Sequence, residues 1–224
     1  FLVHGAVKYG EPGVYMNFEE TEEKMTANVA SLGFDLRDLS KRKKLFIDYV
    51  FIDRSQITEA GEYNLDGLFV RLAHAVKAVK AKRVVLDSVQ ALFAGVADAS
   101  ILRSELQRLF RWLDENNLTA VVTGEAGIDT LTRYGLEEYI ADCVIALDHR
   151  VTEQISTRRL RIVKYRGTAH GTDEYPFLID EDGISVVPIT SLALTHKALT
   201  HRISTGVPAL DETMEGKGFF RGSS

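Results

Sequence analysis

A chain of 224 residues with 27 lysines and arginines against 32 aspartates and glutamates carries a formal charge of −5, which excludes the basic footprint of a duplex-nucleic-acid binder. With 45% hydrophobic and 26% charged residues it can bury a full α/β core, and no apolar run approaches the ~18 residues of a membrane span. The one cysteine, Cys143, lies in the apolar run 143–147; it makes no internal disulfide, reads as a small buried core side chain, and points to a reducing compartment, the cytoplasm.

Taken in chain order, strands and helices alternate, the pattern of a parallel sheet covered by helices. The chain starts at Phe1 without methionine, and its opening is too short for a signal peptide, so the start reads as truncation. Residues 14–18 predict a strand after a Pro12-Gly13 turn, and Thr21 with Glu22 and Glu23 opens a helix running to about Gly33. A second strand is expected over 44–51, then a polar loop over 53–63. Leu65, Leu68, Phe69, Leu72, Val76 and Val79 recur at helical spacing, so 65–80 is an amphipathic helix. It feeds the short strand Arg83-Val84-Val85-Leu86-Asp87-Ser88. Leu102, Leu106, Leu109, Phe110 and Leu113 mark a further helix, and 118–123 and 143–147 two further strands. Then the pattern changes: 157–165 and 177–188 predict antiparallel strands, the second folded at Asp182-Gly183, making a hairpin edge on one mixed sheet. Residues 190–203 read as a linker between a first domain (1–189) and the start of a second (204–224).

Several of these elements end in residues able to do chemistry. Asp87 closes an apolar strand, which delivers a carboxylate to the carboxyl edge of a parallel sheet, where a metal-bound phosphate is usually held. Glu19 and Glu20 follow the strand 14–18 at that edge, where one of them can act as general base toward water. Glu125, after the strand ending at Thr123, is a third and weaker candidate. Lys164, Arg166 and His170 form a cationic cluster after the hairpin strand, suited to phosphate, whereas Arg158, Arg159 and Arg161 read as a solvated face. The sequence contains no G-x-x-x-x-G-K-[ST] phosphate loop.

Four stretches together resemble the KaiC family of RecA-like P-loop ATPases. They are Glu11-Pro12-Gly13-Val14 leading to Phe18-Glu19-Glu20-Thr21, then 83–88, then Arg133-Tyr134-Gly135-Leu136-Glu137-Glu138. The most specific is Lys164-Tyr165-Arg166-Gly167-Thr168-Ala169-His170 followed by Glu174-Tyr175-Pro176-Phe177. The resemblance implies a three-layer αβα domain, the first of two in tandem. It implies ATP and Mg2+ bound between the subunits of a homo-hexamer, slow hydrolysis, and clock-type partners. A Ser/Thr autokinase would belong to the second domain. By position, Glu19 and Glu20 match the catalytic glutamate pair, Asp87 the magnesium-site aspartate, and Ser31 a nucleotide contact on the same subunit. Lys164, Tyr165, Arg166, Thr168 and His170 match contacts to the neighbour's ATP. Asp180 and Glu181 stand at a further family contact but differ in residue type. Both phosphate loops are expected just outside the 224 residues, leaving this piece inactive by itself and with a gap in its sheet.

Two rival readings are weaker. A RecA-type recombinase needs basic mobile loops, yet 89–100 holds no lysine or arginine and 124–135 only Arg133. A non-hydrolysing, nucleotide-dependent scaffold has no use for Glu19, Glu20 and Asp87.

Overall fold

The structure, a computed structural model, describes residues 1–50, 64–93, 96, 98–127, 130–133, 135, 137–180, 183–186, 201–215 and 218–220. The loop expected over 53–63, residues 190–200 of the expected linker, Tyr134, Leu136, Glu181 and Asp182 lie outside that set. The chain forms two compact units, Phe1–Val186 and Val187–Ser224.

In the first unit, α1 (Leu2–Lys8) precedes β1 (Gly13–Asn17), α2 (Glu22–Ala30), α3 (Leu36–Lys41) and β2 (Leu45–Tyr49). There follow α4 (Asp66–Val79), β3 (Arg83–Asp87), α5 (Val89–Leu92), α6 (Ala99–Glu115), β4 (Thr119–Val122) and α7 (Glu137–Ile140). The four strands make a parallel sheet in the order β2-β1-β3-β4. Strand alternation sorts its side chains to two faces. Val14, Met16, Val84 and Leu86 bury against Leu68 and Leu72 of α4 and Leu102, Leu106 and Leu109 of α6. On the other face, Leu45 and Val85 pack with Leu2, Ala6, Leu36 and Leu39 of α1 and α3. Helices therefore cover both faces, as the alternating pattern predicts. A Cβ at Gly5 would fall 2.6 Å from the Arg83 side chain, so a larger residue there would displace the guanidinium that bonds Glu11 at 2.7 Å.

Helix ends follow local chemistry. Asp98 caps α6 by accepting from the Ser100 amide at 2.7 Å, and Asp35 caps α3 through the Asp38 amide at 2.9 Å. Thr21 occupies the N-cap position of α2 but makes no capping bond, and the helix ends at Ala30, ahead of the predicted Gly33.

The later strands differ from expectation. Residues 143–147 belong to a ten-residue strand, β5 (Cys143–Thr152), that runs antiparallel to β6 (Ile155–Tyr165). The turn between them places Glu153 at φ 51° and Gln154 at φ 65°, the primed two-residue geometry of a tight hairpin. With β7 (Tyr175–Asp180) and β8 (Gly183–Val186) they form a separate sheet, β5-β6-β7-β8. Phe177 pairs with Val186, so the fold-back near Asp182-Gly183 is as expected. The single mixed sheet is not: among the described residues β4 bonds only β3, β5 bonds only β6, and nothing joins the two. That explains Cys143, which is exposed rather than buried. It alternates with Ile145 and Leu147, 53% and 55% exposed, on the same face of an outermost strand.

Glu174 pins this sheet by accepting from Arg150 at 2.9 Å and Arg159 at 3.1 Å. The bonds from Arg150 and then Arg159 hold its carboxyl below the ordinary 4.5. A depressed carboxylate contributes stability above its unfolded pKa and loses it as pH falls through the folded value. Glu174→Gln should therefore melt earlier than the parent protein near neutrality, with the two melting temperatures converging well below pH 4.5. Thermal unfolding at two pH values reads this directly.

In the second unit, β9 (Arg202–Ile203) pairs antiparallel with β10 (Phe219–Phe220), with α8 (Pro208–Thr213) between them. Asp211 ties the start of the turn by accepting from the Thr205 amide at 2.9 Å and hydroxyl at 2.7 Å. Arg202 and Ile203 thus form a strand at the end of the expected linker. Among the described residues no helix is long and apolar enough to cross a membrane.

Candidate functional site

The carboxyl edge of the parallel sheet gathers the residues of interest. In register, Asn17 faces Asp87, so the ends of β1 and β3 stand side by side. Phe18 donates its amide to the Asp87 carbonyl at 2.9 Å, which extends the pairing one residue further. Asn17, 4% exposed, then turns the chain: its Oδ1 accepts from the amides of Glu19 at 2.9 Å and Glu20 at 3.2 Å, and its Nδ2 donates to the Glu20 carbonyl at 2.7 Å. This Asx-type turn aims the two glutamates apart. Glu19 Oε1 accepts from Ser88 Oγ at 2.7 Å, beside Asp87. Glu20 instead faces α2, 3.4 Å from Asn28 Nδ2 and 3.9 Å from Lys24 Nζ.

Asp87 is held on both oxygens. Tyr15 donates to Oδ2 at 2.5 Å and Thr123 to Oδ1 at 2.5 Å. Burial, and after it the Asp87 carboxylate, pushes the Tyr15 phenol above its ordinary value, so it remains a donor. Three residues after Asp87, buried Gln90 reaches Glu137 of α7 at 3.5 Å, and Thr132 Oγ1 donates to the same glutamate at 2.6 Å.

The cationic cluster sits at the end of β6 and rests on α7. Lys164 donates to the carbonyls of Glu138 at 3.0 Å and Tyr139 at 3.1 Å, two of the acceptors a helix end leaves open. Arg166 donates to the Tyr139 carbonyl at 2.8 Å and to Asp142 at 3.1 Å. Desolvation first, then the Arg166 charge, holds the Lys164 ammonium below the usual lysine value. Tyr165 is 47% exposed, Thr168 is exposed, and His170 Nδ1 lies 3.0 Å from the Gly171 carbonyl oxygen.

Not all predicted residues meet. Ser31 stands past the far end of α2, about 13 Å of helix from Glu22, with its hydroxyl on the Asn28 carbonyl. Glu125 is paired with Arg133 at 3.0 Å. Asp180 accepts from Ser185 at 2.8 Å. The sequence reading missed Tyr15, Asn17 and Thr123, which look like ordinary strand residues; only their parity with Asp87 along neighbouring strands singles them out. A surface concavity lined by Glu22, Ser40, Lys43, Phe46 and Val79 lies away from these residues.

A parallel sheet covered by helices on both faces places the first unit in the α/β class to which RecA-like domains belong. A family model described as "ATPase: KaiC" matches residues 1–191. The chain belongs to the KaiC ATPase family. It is 53% identical over all 224 residues to the circadian clock protein KaiC2 of Synechocystis sp., covering 39% of that protein. It is 40% identical over its full length to the circadian clock oscillator protein KaiC of Parathermosynechococcus lividus, covering 41% of it. To the oscillator protein of the same name from Synechococcus elongatus it is 37% identical, covering 43%. The chain thus spans about two fifths of the length of the curated relatives it matches.

Proposed function

We propose that the chain is the ATP-hydrolysing part of a nucleotide site built between neighbouring subunits of a homo-hexameric ring. The observation that carries this reading is the meeting of Asp87 and Glu19, through Ser88, at the carboxyl edge of the parallel sheet. Glu19 takes the proton of a water attacking the terminal phosphate, which is general-base work. Glu20, turned toward α2, supports the charge of the edge.

The donors at Asp87 are hard oxygens, the chemistry Mg2+ prefers. Mg2+ takes one or two carboxylates and fills its shell with water and substrate phosphate. Asp87 would hold it, and when bound the ion neutralises charge on the phosphates.

Lys164 and Arg166, seated on the carbonyls of α7 at the end of β6, would turn to a neighbour's ATP and stabilise charge developing there, with Tyr165, Thr168 and His170 lining the same contact. Ser31 touches nucleotide on its own subunit. We place the phosphate loop on residues outside these 224, its strand entering between the sides of β4 and β5 that bond no further strand among the described residues. Residues 204–224 open a second domain, to which Ser/Thr autokinase activity belongs, and clock-type partners would bind the parent protein.

The test is to purify the full-length protein and measure phosphate release and oligomer mass with ATP and Mg2+. A hexamer that hydrolyses ATP, and loses turnover in EDTA, is the expected result. A monomer that binds no nucleotide sinks the reading, and a stable ring that never releases phosphate favours the scaffold instead.

A further inference from the structure

We propose that Tyr15 and Thr123 are positioning residues for Asp87, a pair of hydroxyl clamps that fix the carboxylate for the magnesium ion. The inference rests on the reading of Asp87 as the magnesium-site carboxylate. Asp87 ends the inner strand β3, and each of its two neighbours contributes one hydroxyl. From β1 comes Tyr15, whose phenol meets Oδ2 at 2.5 Å. From just past β4 comes Thr123, whose hydroxyl meets Oδ1 at 2.5 Å.

Strand register makes both contacts specific. Tyr15 pairs with Val85 and Asn17 with Asp87, so Tyr15 starts two residues short of its target, about 7 Å along the strand. A phenol spans that gap, and neither serine nor threonine would. The Tyr15 ring packs against the buried cluster that contains Leu2 and Val85, on the sheet face opposite Val14 and Met16. Thr123 is fixed by backbone, its amide on the Leu86 carbonyl at 3.0 Å and its carbonyl accepting from the Val89 amide at 3.1 Å.

Hydrogen bonds to an ionised carboxylate are among the strong ones, and one on each oxygen stops the group from rotating. A carboxylate has about four acceptor sites, so each oxygen keeps capacity for the water shell of an ion. Partners that orient a ligand in this way typically govern metal affinity by about 10–100-fold.

The test uses the full-length protein and the Mg2+ concentration that half-saturates binding of a fluorescent ATP analogue. Tyr15→Phe and Thr123→Val should each raise that concentration about tenfold, while binding in EDTA stays unchanged. Thr123→Ser, which keeps the hydroxyl, should stay near the parent value. In an Asp87→Asn background neither change should add to the shift, because the group they orient is gone. Far-UV circular dichroism reports folding, and if Tyr15→Phe does not fold, Thr123→Val and its serine rescue carry the test. If Asp87→Asn raises the Mg2+ requirement but the two hydroxyl deletions do not, the clamp is wrong and Asp87 stands. If Asp87→Asn leaves the requirement unmoved, the assignment of Asp87 falls, and the clamp with it.

Discussion

Glu19→Gln should lower the turnover of ATP by the full-length protein about 10²–10⁴-fold, the range expected when a general base is lost. Glutamine keeps the shape of the side chain and can still accept from Ser88, so nucleotide binding and ring assembly should persist. What it loses is the ability to take a proton. Glu20→Gln should cost less than about tenfold, because that carboxylate is turned toward Asn28 and Lys24 and away from Asp87. The two glutamates are adjacent in sequence, and the Asn17 turn is what separates their surroundings. Single-turnover hydrolysis with radiolabelled ATP measures both variants on one scale. Equal losses, or the larger loss in Glu20→Gln, would remove Glu19 as the base.

The second large effect concerns Lys164 and Arg166. Replacing both by alanine should slow hydrolysis on the order of 10³-fold, as for other cations that reach a transferring phosphoryl group from a neighbour. If they act across an interface, as proposed, defects should complement. Rings mixed from Lys164→Ala/Arg166→Ala subunits and Glu19→Gln subunits contain interfaces with a full set of groups, so mixing should restore part of the rate. Rates that simply average on mixing would place the cations within their own subunit's site. The Lys164 ammonium is held below its ordinary pKa by desolvation and by Arg166, so it loses its proton earlier as pH rises. The alkaline fall in activity should begin below the usual lysine range, and Lys164→Arg should move it upward. Surface position limits what these contacts add to stability: Arg166 and Asp142 have side chains 53% and 83% exposed, and such pairs contribute roughly 0–1 kcal/mol.

What the sequence made legible was the part governed by short-range pattern. The leucine and valine spacing along 65–80 marks a helix because one face must bury, and the observed α4 buries Leu68, Leu72, Ala75 and Val79. Asp87 and Glu19 were visible because a polar residue closing an apolar run has few places to go but the sheet edge. Tyr15 was hidden for the opposite reason: in an alternating strand it reads as a filler, and its role depends on Asp87, distant in sequence. The hairpin linking β5 and β6 was hidden because Glu153 and Gln154 adopt positive φ without the glycine or asparagine that usually signals it. Cys143 was misjudged because an apolar run says that a face is apolar, not that something described here covers it.

The sides of β4 and β5 that bond no further strand among the described residues also bear on how these 224 residues behave in a test tube. An open strand edge offers a row of free amide and carbonyl groups, a ready template for another copy of the same strand. Here one of the two edges adjoins an apolar face that shows Ile145 and Leu147 to solvent. Produced without their covering, such chains should stick to one another edge to edge and accumulate as sheet-rich aggregate. Whether those two edges are covered should therefore decide whether the 224 residues stay in solution.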